Sequence, residues 1–498
     1  MHTRRRRSIR TAAAVVTTAV LLVVAAGVAA AHNVGATRYD APIPPLLLFG
    51  GAAATVLLSG VVLALGEEVD WPPVVTRVVD AVAAVRVRPL PTLARTALRV
   101  GFLVTFTGAI AHGIVGPTSA AENAATVVVW SLWLRGLALV ATLAGNVWPT
   151  LSPWRTVYDW LCRLEGEEIR VVGPISDRVA DAVAFVGFVV GVGVLATLTT
   201  APRSPRATAG LVAAYAAVML VGGVCFGRTW FDRADFVGAF YRVLARVAPL
   251  SAVDADAAKS KETPDAAGYR LRAPWAGATH PVANGWGVAL AVATVYVVSF
   301  DGFTNTPEFQ TLLDGLRAAT GIGSAVSLLV FTVGFGLFVG SFLAVAGLAA
   351  RLGTTGESGP VPSTDGGDSA DRSTAGTVSA ARAFAPTLVP IAAAYEVAHN
   401  YPYVAASLGQ LASLVADPLG VSVGSVDPLA WLPLSAFWAS QVILVVVGHL
   451  VAVVAAHAVA SRRYPERTLV AHAPVLVAMV AYTVVSLWIV SRPVVTFG

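Results

Sequence analysis

Ten apolar stretches, each long enough to cross a lipid bilayer as a helix, recur along this chain. A bilayer core of about 30 Å requires about 20 apolar residues in α-helical conformation. The stretches lie at residues 43–65, 97–117, 124–145, 179–200, 207–226, 285–303, 322–350, 384–410, 435–460 and 471–491. One soluble core could not bury so many long apolar segments. The sequence therefore predicts an all-α fold, a polytopic transmembrane helical bundle of about ten spans whose main partner is the lipid bilayer.

The distribution of charge predicts how the bundle is oriented. Only 13% of the 498 residues are charged, against about 25% in soluble domains. If the spans alternate from an outside start, 28 of the 34 Lys and Arg residues fall inside and five fall outside. This asymmetry satisfies the positive-inside rule and predicts a plasma-membrane protein with both mature termini outside. Positive charge that orients a membrane protein gives no support for nucleic-acid binding.

Residues 1–31 have the composition of a signal peptide or of an uncleaved anchor. Five arginines precede an apolar run at 11–28, and three alanines follow at 29–31, which a signal peptidase accepts. Cleavage there would make His32 the first residue. Its α-amine and imidazole could then chelate one metal ion, and nitrogen-rich coordination of this kind suits Cu(II). Alternatively, His32 follows the cleavage site by chance.

The chain divides into transmembrane regions at 32–350, with spans 1 to 7, and at 384–498, with spans 8 to 10. Residues 351–383 separate them and contain a stretch rich in Gly, Ser, Thr and Asp at 353–379. Because that stretch lacks apolar periodicity, we predict a disordered cytoplasmic linker.

Two inner segments of the first region are amphipathic. At 229–248, Phe240 and Val243 fall on one helical face and Arg242 falls away from it. We expect this segment to lie along the inner membrane surface. A shorter segment at 154–164 is expected to anchor its aromatic rings at the interface.

Polar side chains inside the spans are the candidates for function, because they are costly in lipid and usually face a partner or a cavity. At 1.5 Å per residue, His112, Asp301 and His399 share one level in the outer half of the bilayer. We expect these three to form one metal site, with His32 above it as a further ligand. Asp301 is also the candidate catalytic base.

Arg135 and Glu396 both lie near the predicted midplane, where a guanidinium without a carboxylate would be expensive. We therefore predict a structural ion pair between them. Asn400 and His449 are further polar candidates, and an interhelical hydrogen bond is the commoner role for a lone intramembrane histidine. His280, His457 and His472 fall near the inner side, so none of them is assigned to the site.

Eight sequence motifs, in this order, resemble a family of polytopic membrane proteins catalogued as fenitrothion hydrolase. They are AHNVG (31–35), APIP (41–44), GNVWPTLSPWR (145–155), FDGF (300–303), LVPIAAAYEVAHNY (388–401), ADPLG (416–420), VGHLVAVVAAH (447–457) and YTVVSLWIVS (482–491). The matching polar positions are His32, Asp301, His399, His449 and His457, whereas Glu396 replaces an apolar residue. The family name implies hydrolysis of an organophosphate triester. However, the sequence has no HExxH motif, nucleophile elbow or carboxylate-rich two-metal set.

Three hypotheses of different classes follow, and the sequence does not decide whether the protein is an enzyme. The first is a metal-handling protein, with copper or another transition metal bound by His32, His112, His399 and Asp301. The second is a membrane-embedded hydrolase in which a bound metal activates water. The third is a b-type haem carrier with His112 and His399 as axial ligands. A permease without a metal is the remaining alternative. Glycine-rich faces would also allow close contact within the chain or in a homo-oligomer.

Overall fold

The computed structural model describes residues 34–36, 45–65, 86–87, 90–252, 268–354, 369–421, 426–492 and 495–497. Helices make up most of this part of the chain. They are α1 (Pro45–Leu65), α2 (Thr92–Val115), α3 (Ala124–Ala144), α4 (Pro153–Glu165), α5 (Asp177–Ala196), α6 (Pro205–Phe226), α7 (Phe236–Leu244), α8 (Gly285–Thr304), α9 (Pro307–Thr320), α10 (Val326–Thr354), α11 (Ser369–Phe384), α12 (Val389–Ala416), α13 (Leu434–Arg463) and α14 (Thr468–Val490).

Five short strands accompany the helices in the described residues. They are β1 (Val34–Ala36), β2 (Arg86–Val87), β3 (Leu250–Ala252), β4 (Tyr269–Leu271) and β5 (Val495–Phe497). β1 and β5 pair antiparallel, so the two ends of the described chain meet at the same end of the bundle. A second sheet has the order β2-β4-β3, and the side chain of Arg272, which follows β4, donates to the carbonyls of Ala245, Arg246 and Ala248.

Nine helices in the described part of the chain are long and apolar enough to cross a membrane. A further apolar helix, α1, coincides with the first predicted span, and its apolar portion covers Leu47–Leu63. The all-α transmembrane bundle predicted from the sequence is therefore confirmed. Helix starts are fixed by side-chain caps, for example Asn284, which accepts from the Gly287 amide at the start of α8.

Three interruptions of regular helix geometry lie beside one cavity. The wider π form replaces the α form at Val127–Gly136 within α3 and at Val189–Ala196 within α5. Pro402 lies inside α12, where it removes a backbone donor. Single π turns and prolines inside helices often mark functional sites, because they redirect side chains and free backbone groups.

The amphipathic segment at 229–248 packs more deeply than we expected. Phe240, Tyr241 and Leu244 of α7 are fully buried, and the Tyr241 hydroxyl donates to the Trp133 carbonyl of α3 at 2.7 Å. Arg242 stays exposed, as its place on the polar face predicts. The segment therefore packs its apolar face against the bundle core, and its location along the inner membrane surface stays a prediction.

Part of the predicted disordered linker at 351–383 is helical, so that prediction needs a correction. Helix α10 continues to Thr354, and α11 is helical from Ser369, while residues 355–368 lie outside the described part. Ala380, Ala381 and Phe384 are buried. Arg382 of α11 donates to the Val282 carbonyl at 3.0 Å, and the Val282 amide donates back to the Arg382 carbonyl. Small alanine side chains and this reciprocal bond hold α11 in place despite its polar composition.

Candidate functional site

A cavity of about 670 Å³ opens between α3, α5, α8, α12, α13 and α14. Its lining includes residues 197–199, which follow α5, and residues 304–306, which lie at the C-terminal end of α8. The charge distribution predicts this end to be the outer one. Arg135, Asp301, His399, Asn400 and Gln441 are among the lining residues. The structure thus gathers five of the polar groups that the sequence places inside the spans.

Arg135 lies at the centre of the cluster. Its Nη2 donates to Asp301 Oδ2 at 2.9 Å, and its Nη1 donates to Glu396 Oε2 at 3.1 Å. Only 6% of the Arg135 side chain and none of the Glu396 side chain is exposed. Two carboxyl groups therefore share one guanidinium, and the cluster has a formal charge of −1 when all three groups are ionised. A charge of this kind in a low-dielectric wall favours binding of a cation.

Asp301 and His399 face each other across a gap in the cavity wall. Asp301 Oδ2 and His399 Nε2 are 3.7 Å apart, which is too far for a hydrogen bond. The side chains are 18% and 24% exposed, so both reach the cavity. Two atoms that bind one metal ion at about 2.1 Å in tetrahedral geometry lie about 3.4 Å apart. The observed gap is close to that spacing.

The end of α8 fixes the position of Asp301. The Asp301 carbonyl accepts from Thr304 Oγ1 at 2.7 Å and from Asn305 Nδ2 at 2.9 Å, at the point where the helix ends. One residue later, Gly302 leaves room for the Tyr395 hydroxyl of α12, which a Cβ atom would overlap. This close approach brings α8 against α12 and so sets Asp301 beside His399.

Asn400 has a local role as well as a place in the cavity wall. Its Nδ2 donates to the Glu396 carbonyl at 3.2 Å, one turn earlier in α12. Pro402 follows two residues later. The amide side chain therefore adds a hydrogen bond to α12 just before the proline, whose missing donor concerns the Ala398 carbonyl four residues earlier.

His112 does not join Asp301 and His399. It is not among the residues that line the cavity, and its Nδ1 accepts from the Ala124 amide at 3.0 Å. The Asn123 side chain donates to the His112 carbonyl at 2.9 Å, so His112 connects the end of α2 to the start of α3.

In the part of the chain that the structure describes, no three His, Cys, Asp or Glu residues are grouped closely enough to hold a metal ion. His32 lies outside the described residues.

His449 is buried in the bundle away from the cavity lining. Its Nδ1 lies 2.8 Å from the Val445 carbonyl one turn earlier in α13. A carbonyl can only accept, so Nδ1 carries the proton. The ring also lies 6.1 Å, between centroids, from the ring of Tyr482 on α14. These contacts favour a structural role for His449.

The sequence analysis missed a second polar centre, around Asp235. This carboxylate is 1% exposed and accepts from Trp148, Trp154, Tyr215 and the Gly238 amide. Trp154 was expected to anchor at the membrane interface, and that expectation was wrong because the ring is 1% exposed. The sequence contains the two tryptophans of the NVWPTLSPW motif and the aspartate that precedes α7. It gives no sign that these residues contact one another.

No protein-family model matches the chain, and no curated protein or solved structure shows significant similarity to it.

Proposed function

We propose that this integral membrane protein binds a divalent transition-metal cation, with copper as the best candidate, in the cavity beside Arg135. The observation that carries the proposal is the 3.7 Å gap between Asp301 Oδ2 and His399 Nε2 at the cavity wall. A carboxylate and an imidazole together suit Cu(II) and Zn(II). The ligand set is smaller than the sequence predicted, since His112 is engaged elsewhere.

Arg135 would act as a positioning residue. It holds Asp301 Oδ2 in place and leaves the carboxylate able to accept a second partner from the cavity. Glu396 supplies the additional negative charge, which a bound cation compensates. With two protein ligands, water and the amide oxygens of Asn400 and Gln441 would complete the coordination. Such an open site favours exchange of the cation over permanent binding.

The same open site would also suit metal-assisted hydrolysis, the activity implied by the family resemblance. The cavity of about 670 Å³ could admit a small organic substrate next to a metal-bound water. In that case Asp301 would serve as ligand or base. The haem hypothesis remains a prediction, and it has less support than a metal ion because His112 does not line the cavity beside His399.

The test is equilibrium dialysis of the purified full-length protein against Cu(II), followed by elemental analysis. Compared with the unsubstituted protein, His399→Ala and Asp301→Asn should each lose about one copper ion per chain. His280→Ala serves as the matched control, because His280 is an exposed imidazole outside the spans. Equal copper retention in all four proteins would overturn the proposal. Turnover of a phosphotriester by the copper-loaded protein would distinguish a hydrolase from a metal-handling protein.

A further inference from the structure

Two histidines from neighbouring helices form a buried pair far along the chain from Asp301. The rings of His457 on α13 and His472 on α14 lie 5.3 Å apart between centroids, with an angle of 72° between their planes. His457 is 9% exposed and His472 is 2% exposed. The pair lies close to one end of the bundle, because His457 precedes the end of α13 at Arg463 by six residues and His472 follows the start of α14 by four.

His472 has an unsatisfied ring nitrogen. Its Nε2 is buried and has no hydrogen-bond partner among the described residues. Buried polar atoms are rarely left in this state, and an ion or a water molecule is the usual explanation. The helix itself does not require an imidazole at this position. An apolar residue would pack in a span without the cost of burying an unpaired polar atom.

We propose that His457 and His472 bind a monovalent soft metal ion, Cu(I), between their imidazoles. Two neutral nitrogen ligands are enough for Cu(I), which readily accepts linear two-coordinate geometry. No three His, Cys, Asp or Glu residues of the described chain form a group, so the pair has no third ligand of these types. Burial of a divalent ion here would leave two charges uncompensated, whereas a monovalent ion leaves one.

The proposed site at His457 and His472 is independent of the cavity site. Its ligands are on α13 and α14 near the connection between them, whereas Asp301 and His399 are on α8 and α12. It also differs in chemistry, since it lacks a carboxylate and favours a softer ion. Either proposal can therefore fail without affecting the other.

The test is anaerobic titration of full-length protein in detergent with Cu(I), supplied as a coloured chelate whose bleaching reports transfer to the protein. His457→Ala and His472→Ala should each take up about one Cu(I) per chain less than the unsubstituted protein. His449→Ala is the matched control, because it removes another buried imidazole from α13 that is not part of the pair.

His472→Met covers the case in which the alanine variants fail to fold. A thioether is a soft ligand and should keep the Cu(I), and size-exclusion chromatography would establish that this variant is intact. Cu(I) uptake by His457→Ala or His472→Ala equal to that of the unsubstituted protein would overturn the proposal. Loss of the Cu(I) from an intact His472→Met protein, or the absence of any Cu(I) uptake by the unsubstituted protein, would also overturn it.

Discussion

Nη1 of Arg135 lies 3.1 Å from Oε2 of Glu396, although the two residues are 261 positions apart in the chain. The contact joins α3 to α12 inside the bundle, and Asp301 of α8 binds the other side of the same guanidinium. Three helices are thus held together by one buried charge cluster. When all three groups are ionised, the cluster carries one negative charge in excess, and this charge supports the proposal that the adjacent cavity binds a cation.

Arg135→Ala should destabilise the folded protein strongly. The substitution leaves Glu396 fully buried without its cation, and breaking a buried pair from one side typically costs about 3–5 kcal/mol. Thermal unfolding in detergent measures the effect. Arg317→Ala is the control, because Arg317 pairs with the mostly exposed Asp314 and such pairs contribute about 0–1 kcal/mol. Similar melting temperatures for the two variants would contradict this role for Arg135.

Glu396→Gln should weaken copper binding without abolishing it. The variant keeps both proposed ligands but removes the charge excess, and loss of one nearby charge in a partly buried site reduces cation affinity by about tenfold or more. Copper titration of the unsubstituted and variant proteins at equal ionic strength gives the comparison. An unchanged affinity would show that the Glu396 charge does not contribute to cation binding.

Asp235→Ala should be among the most destabilising substitutions outside the cavity. It leaves two tryptophan donors, the Tyr215 hydroxyl and the Gly238 amide without their acceptor, and each buried unsatisfied group costs about 1–3 kcal/mol. Asp232→Ala, which removes a half-exposed partner of Arg155, should cost about 1 kcal/mol or less. Thermal unfolding compares them, and a larger loss in Asp232→Ala would contradict the structural role of Asp235.

Gly302→Ala should separate α8 from α12. The added methyl group would overlap the Tyr395 hydroxyl, and overpacking of a tight contact typically costs about 1–3 kcal/mol. The cavity ligands should shift as well, so this variant should also bind copper more weakly. Gly336→Ala on α10 is matched to it, since no atom lies within 4 Å of the added methyl group. The melting temperature and the copper affinity of Gly336→Ala should be close to those of the unsubstituted protein.

The orientation of the bundle can be tested with single cysteines in a Cys162→Ala, Cys225→Ala background. A cysteine at Gly321, after α9, should react with a membrane-impermeant maleimide added to intact cells. A cysteine at Gly166, after α4, should react only after the cells are broken. The expectation rests on the 28-to-5 partition of basic residues. The opposite pattern of labelling would invert the bundle and place the cavity mouth inside.

The lengths of the apolar segments were enough to predict the transmembrane helices, because a span must match the bilayer. Position along a helix also predicted the common level of Asp301 and His399. The predicted grouping failed for His112, whose side chain contacts the start of α3, because spacing along a helix predicts depth and not the neighbours around the helix axis. The contact between His457 and His472 was not predicted for the same reason. Helix α11 was missed because its stability comes from packing of small residues and not from an apolar pattern.

The most direct test of the central claim is pulsed electron paramagnetic resonance of the protein loaded with one equivalent of Cu(II). If His399 and Asp301 hold the ion, the spectrum should show coupling to an imidazole nitrogen, and this coupling should disappear in His399→Ala and persist in His280→Ala. An unchanged nitrogen coupling in His399→Ala would contradict the proposed site.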